Sequence, residues 1–483
     1  MNKFSFYITL FVVAFTTLLA SCSSDEVTAT LTLSQDSVYF TELGETLTIT
    51  YTGSNIDQIE VTDVPDGWEI TVKKSKKTIT IVGPSTQEDF ENSLTASTVT
   101  FTSTSVDDLG GADYLTVGTT NYLVDLTDQQ ANSFIASIPN AIYRFNACSI
   151  GEDQGEIVPS EISILWQTYP QPLAYTRFSG DVVEFYVQAD EDDNDEDGLT
   201  DDLIEGNAVI AAYDSSGDII WSWHVWVSDF SADDSPVTLN NIEVMDRNLG
   251  ACNNSTLDED AILASYGLYY QWGRKDPFVG PYYYNAQGST DGTMKNESKS
   301  SVYITYTEST SKKGTVSYTT ENPLTFILGV EDSNYDWIYS NDSSDLWSES
   351  GSKSIYDPCP KGWRVASHDL YEGLMIPTIT TNNLDMYAYS YGWPLTDPLT
   401  GNSNLFMGLG RRGYITGKIQ NVNVNETRPA PWVGYYWSAA SNDTSGKSTA
   451  LYFSYDNEEV SGNQIAVSSY HRANGMQIRC QRD

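Results

Sequence analysis

Over residues 27–124, apolar side chains fall at every second position, in Thr30-Leu31-Thr32-Leu33, Thr46-Leu47-Thr48-Ile49-Thr50-Tyr51, Glu69-Ile70-Thr71-Val72 and Thr78-Ile79-Thr80-Ile81. A period of two sends alternate side chains to opposite faces of an extended chain, so these runs are half-buried strands. Leu43-Gly44-Glu45, Pro65-Asp66-Gly67 and Gly83-Pro84 punctuate them, because glycine and proline supply the angles a chain reversal needs. Roughly seven short strands in about 100 residues fit an immunoglobulin-like sandwich. The run Lys73-Lys74-Ser75-Lys76-Lys77 lies between two strands and is expected to be a solvated hairpin turn.

The chain has 483 residues, and at roughly 150 residues per domain its length favours about three domains. A second β-rich segment covers residues 125–237. Ala131-Asn132-Ser133-Phe134-Ile135 begins it, and Gly206-Asn207-Ala208-Val209-Ile210-Ala211-Ala212 with Gly217-Asp218-Ile219-Ile220-Trp221-Ser222-Trp223-His224-Val225-Trp226 closes it. His224 sits inside an apolar strand with no nucleophile near it in sequence, so a structural role is expected. From 238 to 483 the composition turns to Gly, Asn, Ser, Tyr and Trp with few alternating runs. That pattern predicts a loop-rich domain behind two β-rich modules, and a mainly β protein as a whole.

Asp and Glu number 66 against 25 Lys and Arg, a net charge of −41. Such a chain repels phosphate backbones, so no nucleic-acid partner is expected, and the one short lysine run does not alter that. The acids concentrate at residues 190–202, where Asp193, Asp195, Asp197, Gly198 and Asp201 occupy the first, third, fifth, sixth and ninth places of a calcium loop. The twelfth place holds Ile204 rather than Glu. Two readings stay open: a structural calcium site on these aspartates, or a solvated acidic hairpin tip.

Lys3 precedes an apolar run over residues 4–20, which ends in Leu19-Ala20-Ser21-Cys22. This reads as an export signal over residues 1–21. Leu-Ala-Ser-Cys resembles the lipobox of bacterial lipoproteins, which implies lipidation of Cys22 and attachment to the outer membrane. Each buried CH₂ of such an anchor contributes about 0.8 kcal/mol, enough for lasting attachment with several acyl chains. The following Ser23-Ser24-Asp25-Glu26 resembles the acidic tag of cell-surface lipoproteins in Bacteroidetes-type bacteria. Four cysteines remain, Cys148, Cys252, Cys359 and Cys480. An oxidising compartment permits two disulfides, and spacing alone selects no pairing.

Residues 22–124, through Leu33-Ser34-Gln35-Asp36-Ser37-Val38-Tyr39-Phe40 and Gly67-Trp68, resemble the Ig-like and BACON-type modules of Bacteroidetes surface proteins, which implies a spacer. Residues 125–237 are similar to the β module preceding lectin-like domains in fimbrillin-type lipoproteins. Four motifs in the last part follow in order. They are Met245-Asp246-Arg247-Asn248-Leu249-Gly250-Ala251, Gly267-Leu268-Tyr269-Tyr270-Gln271-Trp272-Gly273-Arg274, Tyr356-Asp357-Pro358-Cys359-Pro360-Lys361-Gly362-Trp363, and Tyr436-Trp437-Ser438-Ala439 with the closing Gly475-Met476-Gln477-Ile478-Arg479-Cys480. Together they resemble the Fibrobacter succinogenes major paralogous domain, similar to the C-type-lectin-like fold, which implies an α+β domain behind two β-sandwich modules. That resemblance implies a Cys359–Cys480 disulfide and core positions for Trp272, Trp363 and Trp437. It leaves Cys148 and Cys252 either bridged to each other or free.

The sugar-binding lectin motifs Glu-Pro-Asn, Gln-Pro-Asp and Trp-Asn-Asp do not occur, so calcium-dependent sugar binding by that route is not expected. Tyr283, Trp337, Trp347 and Trp393, with Tyr282, Tyr284, Tyr335 and Trp432, lie among Gly, Asn, Ser and Asp in expected loops. Exposed aromatic faces stack on sugars and anchor protein interfaces, so the first four are candidate ligand-binding residues. Any one of them can instead pack beneath its own loop. Neither Gly-x-Ser-x-Gly nor a placed Cys/His pair is present, and no catalytic residue is assigned.

The expected function is therefore that of a non-catalytic surface lipoprotein, an adhesin or fimbria-associated tip component. It would bind a glycan or a surface protein through its lectin-like domain, with fimbrial subunits as further partners. The alternatives are a glycan-capture lipoprotein of a polysaccharide-utilisation system, or a glycoside hydrolase.

Overall fold

The computed structural model describes residues 26–152, 155–190, 202–284, 290–340, 346–383, 386–387, 389–420, 432–442, 446–455 and 463–483. Cys22 and the proposed calcium ligands Asp193, Asp195, Asp197 and Asp201 lie outside the described residues. The protein is mainly β, and its few helices are short.

Two four-stranded sheets form the first sandwich. One runs in the order Thr30–Leu33, Thr46–Ser54, Thr78–Val82, Glu69–Lys73, and the other in the order Ser37–Phe40, Gly110–Thr119, Ser97–Thr104, Gln58–Thr62. The period-two pattern does the sorting. In Thr46–Ser54 the threonines face solvent while Ile49 and Tyr51 turn inward, where they meet Ile79 and Ile81 of their own sheet and Val38, Phe101 and Val117 of the other. The lysine run is a hairpin connection, with a 3-10 turn at Lys74–Lys76 and Lys77 in the left-handed region at φ 52°. All of its residues are exposed, which keeps the ammonium groups hydrated.

This sandwich is packed against the next. Tyr39 and Tyr186 stack with ring centroids 3.9 Å apart and planes 4° off parallel. Arg177 donates to Glu45 at 3.2 Å, to the Tyr175 hydroxyl at 2.8 Å and to the Tyr39 carbonyl. A planar guanidinium suits such a junction because it forks to several acceptors while stacking on rings, here those of Phe40 and Tyr175.

The second unit opposes a four-stranded sheet (Leu173–Ser179, Val182–Val187, Ala141–Asn146, Leu123–Asp125) to a six-stranded one. In the latter, Ser133–Ala136, Ile219–Val227, Gly206–Tyr213 and Glu161–Thr168 are followed by Met294–Lys295 and Ser301–Val302. The last two strands come from far along the chain, so the C-terminal part completes this sheet. Gln167 and Thr168 pair with Lys295 and Met294. The intervening turn carries Glu297, which accepts from Ile164 N at 2.9 Å and from Thr176 N at 2.9 Å. At its end Lys299 pairs with Asp36 of the first sandwich.

The C-terminal region holds a sheet in the order Val237–Leu239, Ile242–Val244, Cys480–Arg482, Trp363–Val365 and a larger one containing Gly475–Ile478, Leu409–Arg412, Trp432–Asn442, Lys447–Tyr455 and Gln464–His471. Cys359 and Cys480 form a disulfide, as the resemblance implied, with both residues fully buried. The Cys-Pro-x-Gly-Trp segment leads into the strand Trp363–Val365 and then a single 3-10 turn, His368–Leu370. Trp166, Val209, Trp226 and Phe230 of the second unit join Met245, Leu249, Trp272 and Trp437 in one apolar cluster. A continuous core therefore crosses the junction.

Candidate functional site

Three of the four aromatic residues chosen as ligand faces are core residues. Trp337 is 0% exposed, Trp347 2% and Trp393 0%. Trp337 donates its indole N–H to the Trp272 carbonyl at 2.7 Å, and Trp347 donates to the Tyr356 carbonyl at 3.1 Å. Trp393 packs edge-on against Trp432 at 5.0 Å. A domain with few alternating strands must draw its core from irregular segments. Trp337 and Trp347 serve there, filling space while each N–H satisfies a carbonyl, whereas Trp393 lies in the strand Gly392–Thr396 and contributes by ring packing. These three positions are thus corrected from ligand binding to packing. Trp272, Trp363 and Trp437 are buried as well.

Tyr283 is different: it is 58% exposed and lies on the wall of a cleft of about 860 Å³. The cleft sits where the second unit meets the C-terminal region. Gly250 and Gly267 form part of the floor, at φ +84° and +76°. A Cβ on Gly267 would stand 2.7 Å from the Leu249 carbonyl, and one on Gly250 would stand 2.7 Å from the Leu268 side chain. Glycine is needed there for both the left-handed backbone and the close approach. Both residues belong to the first two C-terminal motifs, so those motifs shape the cleft.

The short helix Glu259–Ala264 makes one wall, with Asp258 capping it by accepting from Ala261 N at 2.8 Å. Its first residues put Glu259 and Asp260 at the rim, both exposed. Tyr282 and Tyr283 also line the cleft, their rings edge to face at 4.7 Å. The neighbouring Glu259 carboxylate raises the pKa of Tyr284, and the buried Tyr266 hydroxyl donates to the Tyr284 carbonyl. Tyr169, 67% exposed, and Lys295 complete the lining from the six-stranded sheet.

His224 lies behind the floor. Its ring nitrogens are 3.0 Å from Ser133 Oγ and 2.8 Å from Asn207 Oδ1, while Asn207 donates to the Gly250 carbonyl at 2.9 Å. Burial lowers its pKa to about 3, so the ring is neutral and holds the loop in place, in keeping with a structural role. Cys148 and Cys252 are both free thiols. Cys252 also lines the cleft, and burial pushes its thiol far above the ordinary range. A protonated thiol is a poor nucleophile. Among the described residues no group of three or more His, Cys, Asp or Glu side chains is arranged to hold a metal ion, and no helix is long and apolar enough to cross a membrane.

Tyr169, Glu259, Asp260 and Lys295 were not anticipated from sequence. They come from three separate segments, and only folding brings them to one cleft.

Comparison with protein-family models gives no match, and comparison with curated proteins gives none. Parts of the chain are similar to solved structures. One is of Sidekick-1 immunoglobulin domains 1–5 (10% identity, 41% of this chain and 38% of that one, TM-score 0.14). Another is the Bacteroides ovatus mixed-linkage glucan utilization locus protein SGBP-B in complex with a mixed-linkage heptasaccharide (13% identity, 45% and 49%, TM-score 0.13). A third is the human desmocollin-1 ectodomain (8% identity, 44% and 45%, TM-score 0.15). This chain spans less than half the length of each of the three, and none of these likenesses extends to a shared overall architecture.

Proposed function

We propose that this chain is a lipid-anchored cell-surface protein of the outer membrane that binds a glycan or a surface protein without catalysis. In this reading the C-terminal region is a C-type-lectin-like head, and the two sandwiches carry it away from the membrane as the stalk of an adhesin or fimbria-associated tip. The observation that carries the reading is the junction cleft, where three exposed rings, Tyr169, Tyr282 and Tyr283, line one concave site. The packed junctions at Arg177 and Glu297 suit a stalk that transmits force.

Glycan capture is the second reading, favoured by the same tyrosines, because an aromatic face with a polar tip suits a sugar ring. Catalysis by a carboxylate pair is disfavoured at this site. Glu259 and Asp260 are adjacent on one helix, and neighbouring helical side chains diverge rather than face each other.

Two experiments test the proposal. Metabolic labelling with palmitate should mark the wild-type chain and fail with Cys22→Ala. The mature chain should bind a glycan array or whole cells, and the double variant Tyr169→Ala/Tyr283→Ala should not. Unlabelled protein would remove the anchor, and binding indifferent to the double variant would remove the cleft. Deleting residues 238–483 would be a poor alternative, because it strips the strands Met294–Lys295 and Ser301–Val302 from the second unit.

A further inference from the structure

The charge and surface of the junction cleft narrow what it can hold. Its charged lining residues are Glu259, Asp260 and Lys295, an excess of acid on a chain of net charge −41. A carboxylate or sulfate on a ligand would enter against that field. Neutral hydroxyls suit it, because a carboxylate accepts from a hydroxyl in a short, charge-assisted hydrogen bond. A cationic ligand is less well served, since Lys295 lines the same cleft.

The apolar part of the lining is equally particular. Tyr169 is 67% exposed, Tyr282 51% and Tyr283 58%; Tyr114, Tyr122, Tyr303 and Tyr389 are exposed too, but none of them lines this cleft, where three exposed rings come together. Exposed rings gathered in the lining of one cleft offer stacking faces to a ligand that is itself a chain of flat, hydroxyl-edged units. The volume of about 860 Å³ lies within the roughly 300–1,000 Å³ of small-molecule sites, and the open side lets a longer chain run through.

We infer that the junction cleft binds a neutral oligosaccharide, stacking its sugar rings on Tyr283 and Tyr169 while Glu259 and Asp260 accept hydroxyl hydrogen bonds, and that it rejects uronate- and sulfate-bearing chains. This rests on the surface-binding reading and specifies its ligand. Both sets of contacts are made by this chain's own side chains, so EDTA should leave binding unchanged.

The test is calorimetric titration of the full mature chain, carrying Cys22→Ser to stay in solution, with cellohexaose, mannohexaose and xylohexaose. Hexagalacturonate, a heparin hexasaccharide and hexalysine are the contrasting probes, and attachment to whole cells is measured in parallel. At least one neutral hexasaccharide should bind, with and without EDTA. Tyr283→Ala and Tyr169→Ala should each weaken it about tenfold, as loss of one aromatic contact implies, whereas Tyr283→Phe should retain binding. Both rings are exposed, so unchanged melting of the alanine variants separates lost contact from lost fold.

Neutral binding untouched by both alanine variants would overturn the assignment to this cleft while leaving a glycan binder. Equal affinity for hexagalacturonate or the heparin hexasaccharide would overturn the charge argument, and loss of binding in EDTA the calcium independence. Hexalysine binding that Tyr283→Ala abolishes would make the ligand a cationic peptide instead. If no hexasaccharide binds while the chain still attaches to cells, this inference fails and the surface-binding reading stands. If neither is seen, both fail.

Discussion

The carboxylate of Glu297 accepts from the backbone N–H of Thr176 at 2.9 Å and from its hydroxyl at 3.1 Å, across 121 residues of sequence. Its other oxygen takes the Ile164 N–H at 2.9 Å. One side chain from the C-terminal part thereby satisfies donors on both sheets of the second unit. Burial raises its pKa, and the hydrogen bonds from Thr176 and Ile164 offset only part of that cost. Glu297→Ala leaves two backbone donors without this acceptor and should lower unfolding stability by ~1.5–3 kcal/mol. Glu297→Gln, which keeps a carbonyl, should lose less. Urea denaturation checks both, and a change within ~0.5 kcal/mol for Glu297→Ala would mean that the hairpin is not held here.

The Cys359–Cys480 bond closes a loop of sequence separation 121 beside paired strands, where Val365 is opposite Cys480. A loop of that size has an entropic ceiling of about 5 kcal/mol, and measured losses run ~2–5 kcal/mol. The double variant Cys359→Ala/Cys480→Ala should unfold at distinctly lower denaturant. Labelling of the unfolded, unreduced wild type should find two thiols in the mature chain if Cys22 is lipidated, those of Cys148 and Cys252. A denaturation midpoint unchanged by the double variant would exclude a stabilising role for the bond.

Trp337 and Tyr283 should respond in opposite ways. Trp337 is fully buried and donates to a backbone carbonyl, so Trp337→Ala should cost ~3–5 kcal/mol of stability. Tyr283→Ala, at an exposed ring, should stay within ~0.5 kcal/mol of wild type and lose ligand instead. Thermal melts and binding measured side by side separate the two. A stable Trp337→Ala protein would contradict the packing role.

His224 gives a pH signature. Its folded pKa of about 3 lies below the ~6.5 of an unfolded histidine. The unfolded state therefore binds a proton first as pH falls. The contribution of neutral His224 is complete above about pH 6.5 and declines below it by about 1.4 kcal/mol per pH unit. Glu297 and Asp357, whose pKa values burial raises, act in the opposite sense, so the comparison must be with His224→Gln. The wild type's advantage over that variant should shrink by about 2 kcal/mol between pH 7 and pH 5. A constant difference in denaturation free energy would contradict a histidine held neutral by burial.

What could be read from sequence followed from how strongly each segment is patterned. The Thr-rich alternation of Thr46–Ser54 and Thr78–Val82 has only one way to bury its apolar face, and the first sandwich follows from it. His224 was legible because an apolar strand leaves an imidazole little but buried hydrogen bonds. The disulfide came from resemblance, since spacing chose no pairing. Trp337 and Trp347 misled because loop composition normally signals exposure, whereas here irregular segments build the core, and Trp393 misled because it lies in a strand, Gly392–Thr396, that composition did not reveal. The strands Met294–Lys295 and Ser301–Val302 are two residues each, too short for any period, and they decide how the second sheet ends. Because the cleft depends on that junction, only the tyrosine run was visible beforehand.

The central claim is that ligand binds at the junction cleft. Hydrogen–deuterium exchange on the full mature chain, with and without the best-binding hexasaccharide, measures this most directly. The account predicts slowed exchange in peptides covering 250–268, 279–284 and 168–169, with little change in the first sandwich. Protection confined to residues 26–119, or to strands remote from the cleft, would contradict it.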